Sequence, residues 1–205
     1  AGLSVLCGLL LLLLAGGNDR PAIDAPVSMS PAEGSRPMEV ADVVQALKPA
    51  VVSVISAYSE GSGMPGWDQT AIGSGIIYKK ENSYARIVTN HHVIDGAVSI
   101  EVVLSDGERL DARKIGTDLL SDLAVLEVDG RSVKGVAAFG NSDELREGDA
   151  AIAIGHPFGL GHSPTFTLGI ISSLSRTIPV SLSMDGNIDW EMELLQTDAA
   201  INHGN

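Results

Sequence analysis

From Val51 onwards the chain is a succession of short aliphatic runs cut by turn residues. VVSVISAY, AIGSGIIY, ARIVTNHHVI, SIEVVLSDGERLDARKIG, DLAVLEV, DAAIAIG, TFTLGIISSLSRT and ELLQTDA follow one another. Runs of this length, rich in Val and Ile, fit strands, and no sustained helical periodicity competes with them after residue 50. Strand upon strand without intervening helices favours a barrel or sandwich over a parallel βαβ sheet. The fold class is therefore read as all-β. Ser105-Asp106-Gly107 is expected to form a hairpin turn. One helix is expected ahead of the strands, in VADVVQALKPA, where Val40, Val43, Val44 and Leu47 recur at helical spacing and Pro49 ends it. Aromatic residues make up only 4% of the chain, so Val, Ile, Leu and Ala have to fill the core.

The first 17 residues, AGLSVLCGLLLLLLAGG, carry no charge. As a helix they come near the lower length limit for spanning a bilayer. Two readings stand: an uncleaved membrane anchor, or a signal segment cut near the small residues of LLAGG. Either sends the rest of the chain across a membrane. Residues 18–38 hold four prolines among small polar residues and read as a flexible linker. The body of the protein is then 39–205.

A net charge of −13 would repel a phosphate backbone, which argues against nucleic-acid partners. The single cysteine, Cys7, allows no intrachain disulfide, and no Cys/His grouping has zinc-site spacing.

Two polar features stand out in apolar settings. In IVTNHHVIDGA an apolar strand runs into His91 and His92, and in SDLAVLEV Asp122 immediately precedes an apolar strand. A carboxylate at the mouth of a core strand is costly unless something pairs with it. A histidine is a natural partner, because the carboxylate can hold one ring N–H and leave the other nitrogen free to take a proton. Read as strand neighbours, His91 and His92 would point to opposite faces and could not share a metal ion. No metal or organic cofactor is expected.

TNHHV, then DLAVL, then QTDAAINHGN resemble, in that order, the motifs of the Deg/HtrA family of trypsin-like serine proteases. The likeness is greatest to the DegS-type, membrane-anchored stress-sensor branch. It extends over about residues 38–205 and includes GSGII (Gly73 to Ile77) and IGHPFGL (Ile154 to Leu160). It implies two trypsin-like β-barrels, the first nearly complete between Val51 and Val128, the second, from about Ala150, left incomplete. It places the general base on His92 and the orienting acid on Asp122, with His91 at a variable position and His156 in a loop. Gly204 falls where the family prepares its oxyanion hole, and His203 matches the sensor branch. The family's nucleophilic serine would come directly after Asn205, so the sequence reads as truncated just before it. The resemblance further implies a protein or peptide substrate, with an anti-sigma factor as the candidate, and a homotrimer. It implies residence in the bacterial inner membrane facing the periplasm, or in the periplasm after signal cleavage. The rival reading is a non-catalytic β-barrel module that binds peptides.

Overall fold

A computed structural model of the chain describes residues 39–58, 69–156, 164–180 and 190–201. The anchor or signal segment 1–17, the linker 18–38 and Gly204 lie outside the described residues. Among those described, no helix is long and apolar enough to cross a membrane.

Helix α1 spans Val40–Leu47 and turns Val43 and Leu47 inwards, while Val40 stays exposed. Asp42 in its first turn complements the positive end of the helix dipole. Pro49 lies in the single 3₁₀ turn Lys48–Ala50 that closes the helix, and strand β1 (Val51–Tyr58) begins at once.

Six further strands complete the first unit. They are β2 (Gln69–Lys80), β3 (Tyr84–Asn90), β4 (Ser99–Val103), β5 (Arg109–Asp111), β6 (Arg113–Asp118) and β7 (Leu123–Asp129). A short helical turn, α2 (His91–Ile94), follows β3. The sheet is antiparallel throughout, in the order β5-β4-β1-β2-β3-β7-β6. Its two edges, β5 and β6, are halves of one stretch of chain, interrupted only at Ala112, whose N–H donates to Ile100 O at 2.9 Å. The first half pairs with β4 and the second with β7, so the sheet curls until one segment serves both edges. This is the first barrel that the sequence leads one to expect. Bulges between Ile77 and Lys79 and between Lys114 and Gly116 supply extra twist for the curling.

The β4–β5 hairpin turns at the expected place. Gly107 N–H donates to Leu104 O at 2.9 Å, and Gly107 takes a φ of +90°, which a glycine adopts without steric cost.

The strands alternate between two cores. Val52, Val54, Ile77, Ile87, Val102 and Leu126 fill the barrel interior. Val51 and Ile76, on the opposite face, pack with Leu47 of α1 and with Ile152 and Ile154. Those last two belong to β8 (Ala150–Gly155), an edge strand of a second antiparallel sheet. That sheet continues with β9 (Thr165–Val180) and β10 (Trp190–Thr197), in the order β10-β9-β8. Among the described residues it does not close. Leu168, Ile170, Leu174, Ile178 and Trp190 on it are exposed. The two units also meet through a polar contact, His156 N–H to Ser74 Oγ at 2.7 Å, which puts His156 at the junction just after β8.

One expectation is corrected. ARIVTNHHVI is not a single strand: β3 ends at Asn90 and His91–Ile94 is helical. The β3–β7 ladder stops at the pair Asn90–Leu123, because Asp122 turns the chain away with a φ of +53°. His91 N–H makes one last bond, to Asp122 O at 2.9 Å. With no strand left to pair with, the chain coils, and Val93 and Ile94 fold into the barrel end. The two histidines are therefore consecutive on a helical turn rather than on opposite faces of a strand.

Candidate active site

His92 and Asp122 are 30 residues apart in sequence and meet because β3 and β7 are neighbours. His92 follows the end of β3 and Asp122 precedes the start of β7, so antiparallel pairing lays both at one end of the barrel. Asp122 Oδ2 stands 2.6 Å from His92 Nδ1, and Oδ1 accepts the main-chain N–H of His92 at 2.9 Å. An ionised carboxylate only accepts, so the proton of the neutral imidazole resides on Nδ1 and the Nε2 lone pair is free. The His92 side chain is 57% exposed, against 23% for Asp122, so the carboxylate sits behind the ring and the ring faces outwards.

Asp122 is held by more than its side chain. Its carbonyl accepts from His91 N–H at 2.9 Å and from Asn90 Nδ2 at 3.1 Å, and Asn90 Nδ2 also reaches Oδ2 at 3.3 Å. These bonds offset the left-handed backbone of Asp122, which costs about 1–2 kcal/mol outside glycine and least in Asp and Asn. The turn leading to Asp122 is pinned by Asp118, whose carboxylate accepts from Ser121 Oγ at 2.8 Å and from Leu120 N–H at 3.0 Å. Those donors, the Ser121 hydroxyl first, hold the Asp118 carboxyl below its ordinary range.

The turn carrying His92 is seated from two sides. Tyr58 Oη donates to Val93 O at 3.2 Å, and burial, followed by the nearby Asp95 charge, pushes the Tyr58 phenol up. On the other side Gly73 leaves room for Val93: a Cβ at Gly73 would stand 2.6 Å from Val93 Cγ2. Neither Asn90 nor Gly73 drew a role from sequence reasoning. The signal was present for Asn90, a buried amide at the end of an apolar strand, next to the histidines.

The pair can take a proton at Nε2 and stabilise the resulting imidazolium through Asp122. Among the described residues no grouping of three or more His, Cys, Asp or Glu could hold a metal ion.

Residues 73–205 match the trypsin-like peptidase domain family. The chain is 44% identical over 173 residues to the serine protease Do-like HtrB of Bacillus subtilis (strain 168), covering 81% of this chain and 37% of that protein. The chain belongs to the Deg/HtrA family of trypsin-like peptidase domains. A further Deg/HtrA relative, the periplasmic serine endoprotease DegP of Escherichia coli (strain K12), is 42% identical over 135 residues, which is 66% of this chain and 26% of DegP. Among solved structures, the HtrA-type protease AlgW with a tripeptide superposes with a TM-score of 0.61 at 35% identity, over 80% of this chain and 47% of that one. The chain thus spans well under half the length of these curated Deg/HtrA relatives.

Proposed function

We propose that the protein containing this chain is a serine endopeptidase. The observation that carries the reading is the 2.6 Å contact between Asp122 Oδ2 and His92 Nδ1, with the rest of the ring turned outwards. The nucleophile is a serine directly after Asn205, as the resemblance of QTDAAINHGN to the family motif implies. His92 Nε2 takes the proton of the serine hydroxyl as Oγ attacks the scissile carbonyl. The same nitrogen returns the proton to the leaving amine, and water repeats the cycle on the acyl-enzyme. Asp122 orients the ring and stabilises its charge. Gly204 and the serine present backbone N–H groups to the developing oxyanion.

The finer reading is a DegS-type protease: a trimer fixed in the inner membrane by Ala1–Gly17, facing the periplasm and cleaving an anti-sigma factor in the envelope stress response. The apolar run, the proline-bearing linker 18–38 and His203 support it. The periplasmic DegP among the relatives supports the compartment.

The test is labelling of the full-length protein with a fluorophosphonate probe. Labelling is expected at the residue after Asn205, and His92→Ala should abolish it without unfolding the protein. A residue other than serine at that position, with no labelling, would leave a peptide-binding module instead. Membrane fractionation separates the anchor from the cleaved signal: a soluble form starting near residue 18 would overturn the anchor.

A further inference from the structure

The ladder between β9 and β10 ends at the pair Ile171–Thr197, but the chain does not leave β9 there. Side chains take over from the main chain. Ile170 N–H donates to Asp198 Oδ1 at 2.7 Å, and Thr197 Oγ1 donates to Ile170 O at 2.8 Å. Ala199 N–H donates back to Thr197 Oγ1 at 3.1 Å, and Thr167 Oγ1 donates to Ala200 O at 2.7 Å. Both main-chain groups of Ile170 are thus satisfied without a paired strand.

The fit is also steric. A Cβ at Gly169 would stand 2.3 Å from Ala199 N and 2.3 Å from Asp198 Oδ1, so only glycine lets the segment lie this close to β9. Ala199 is buried against it.

This stretch of β9 is tied to the barrel that carries His92 and Asp122. Gly169 and Ile170 pair on their other edge with Ala151 and Ala150 of β8. Ile152 and Ile154 of β8 pack on Val51 and Ile76 of the barrel. A continuous set of contacts therefore runs from the barrel to Thr197–Ala200. Ile201 to Asn205 follow in the chain, with Gly204 among them. The proposed reaction uses Gly204 and the serine after Asn205, but none of residues 197–200.

We propose that Asp198 is a positioning residue: seated on Gly169 and Ile170, it fixes where the chain leaves β9 for Gly204 and the nucleophile. Its carboxylate acts as a hydrogen-bond acceptor in place of a strand carbonyl, and its charge is not required. The proposal rests on the serine-endopeptidase reading for its effect on rate, but not for its effect on the order of residues 201–205.

Two measurements on the full-length protein test it, each on Asp198→Ala, Asp198→Asn and Gly169→Ala. The first is amide hydrogen exchange in peptides covering 201–205. Exchange there is expected to rise in Asp198→Ala and Gly169→Ala and to stay near the unsubstituted rate in Asp198→Asn, which keeps the acceptor. Unchanged exchange in both Ala variants would overturn the proposal, and so would an Asn variant as fast as Asp198→Ala. The second is the rate of fluorophosphonate labelling per reactive site, with the number of sites taken from the final extent of labelling. A misplacement of about 1 Å costs on the order of 100-fold, so the rate per site should fall about that far in both Ala variants and recover in Asp198→Asn. A loss of labelled sites with an unchanged rate per site would mean that Asp198 serves stability alone, against the proposal. If Gly169→Ala does not fold, Thr167→Val takes its place, since it removes the bond to Ala200 O. No labelling of the unsubstituted protein would count against the endopeptidase reading alone, because the exchange measurement still decides the role of Asp198.

Discussion

Asp122 grips His92 with both carboxylate oxygens at once, Oδ2 on ring Nδ1 at 2.6 Å and Oδ1 on the main-chain N–H at 2.9 Å. The grip sets ring position and tautomer together. Asp122→Asn keeps the acceptor for the main-chain N–H but puts an amide donor against Nδ1. The ring then carries its proton on Nε2 and cannot act as a base. The expected outcome in the full-length enzyme is a fall in kcat of about 10⁴ with the fold retained. Kinetics beside a thermal melt would show it; a loss below tenfold would remove Asp122 from the mechanism.

Gly73 and Val93 should behave as a coupled pair. A Cβ at Gly73 would intrude on Val93 Cγ2, and Val93 is the residue after His92. Gly73→Ala is expected to cost about 1–3 kcal/mol of stability and to lower kcat by displacing the turn. Val93→Ala on top of it should restore part of both, since it removes the methyl groups in the way. A double-mutant cycle showing simple additivity would mean that Gly73 does not set the position of the turn.

A separate titration is expected far from the site. The Arg131 side chain, followed by its backbone N–H, donates to Asp129 and lowers that carboxyl to about 2. Its folded value is depressed, so whatever the contact contributes is complete above the ordinary carboxylate value and is lost as pH falls through about 2. The pair is exposed, so Arg131→Ala should leave the melting temperature at neutral pH nearly unchanged. The titration midpoint of the Asp129 carboxyl should nonetheless move up part of the way, because the backbone N–H at position 131 still donates to it. No change in that midpoint would show the contact to be absent in solution.

The exposed apolar side chains of the second sheet bear on the whole protein. Leu168 is 57% exposed, Ile170 44% and Trp190 46%. In the full-length protein they are expected to be covered, because soluble proteins seldom leave such a patch open unless it binds something. With Trp67→Phe as background, Trp190 should emit at shorter wavelength in the full-length protein than in residues 39–205 alone. Identical spectra would mean that this face stays exposed.

Much of the fold was legible in the sequence, because the signal for a strand is local. Val51–Tyr58 and the run beginning at Leu123 can be recognised from a few consecutive residues, and so can the Gly107 turn. The order of TNHHV and DLAVL also made His92 and Asp122 candidates for one site. The pairing of strands was not legible, because it depends on residues far apart in the chain. Nothing in Arg109–Asp118 announces that its first half bonds to β4 and its second to β7, yet that curls the sheet. Nor could the run ending in HHVI show that its ladder stops at Asn90. The stop comes from Asp122, which takes a left-handed backbone about 30 residues later, where Asn90 and His91 hold its carbonyl. The sequence by itself determined which residues could do chemistry. The tertiary structure alone decided their distance and orientation, because a 2.6 Å contact between strand ends depends on register, and register is a property of two strands together.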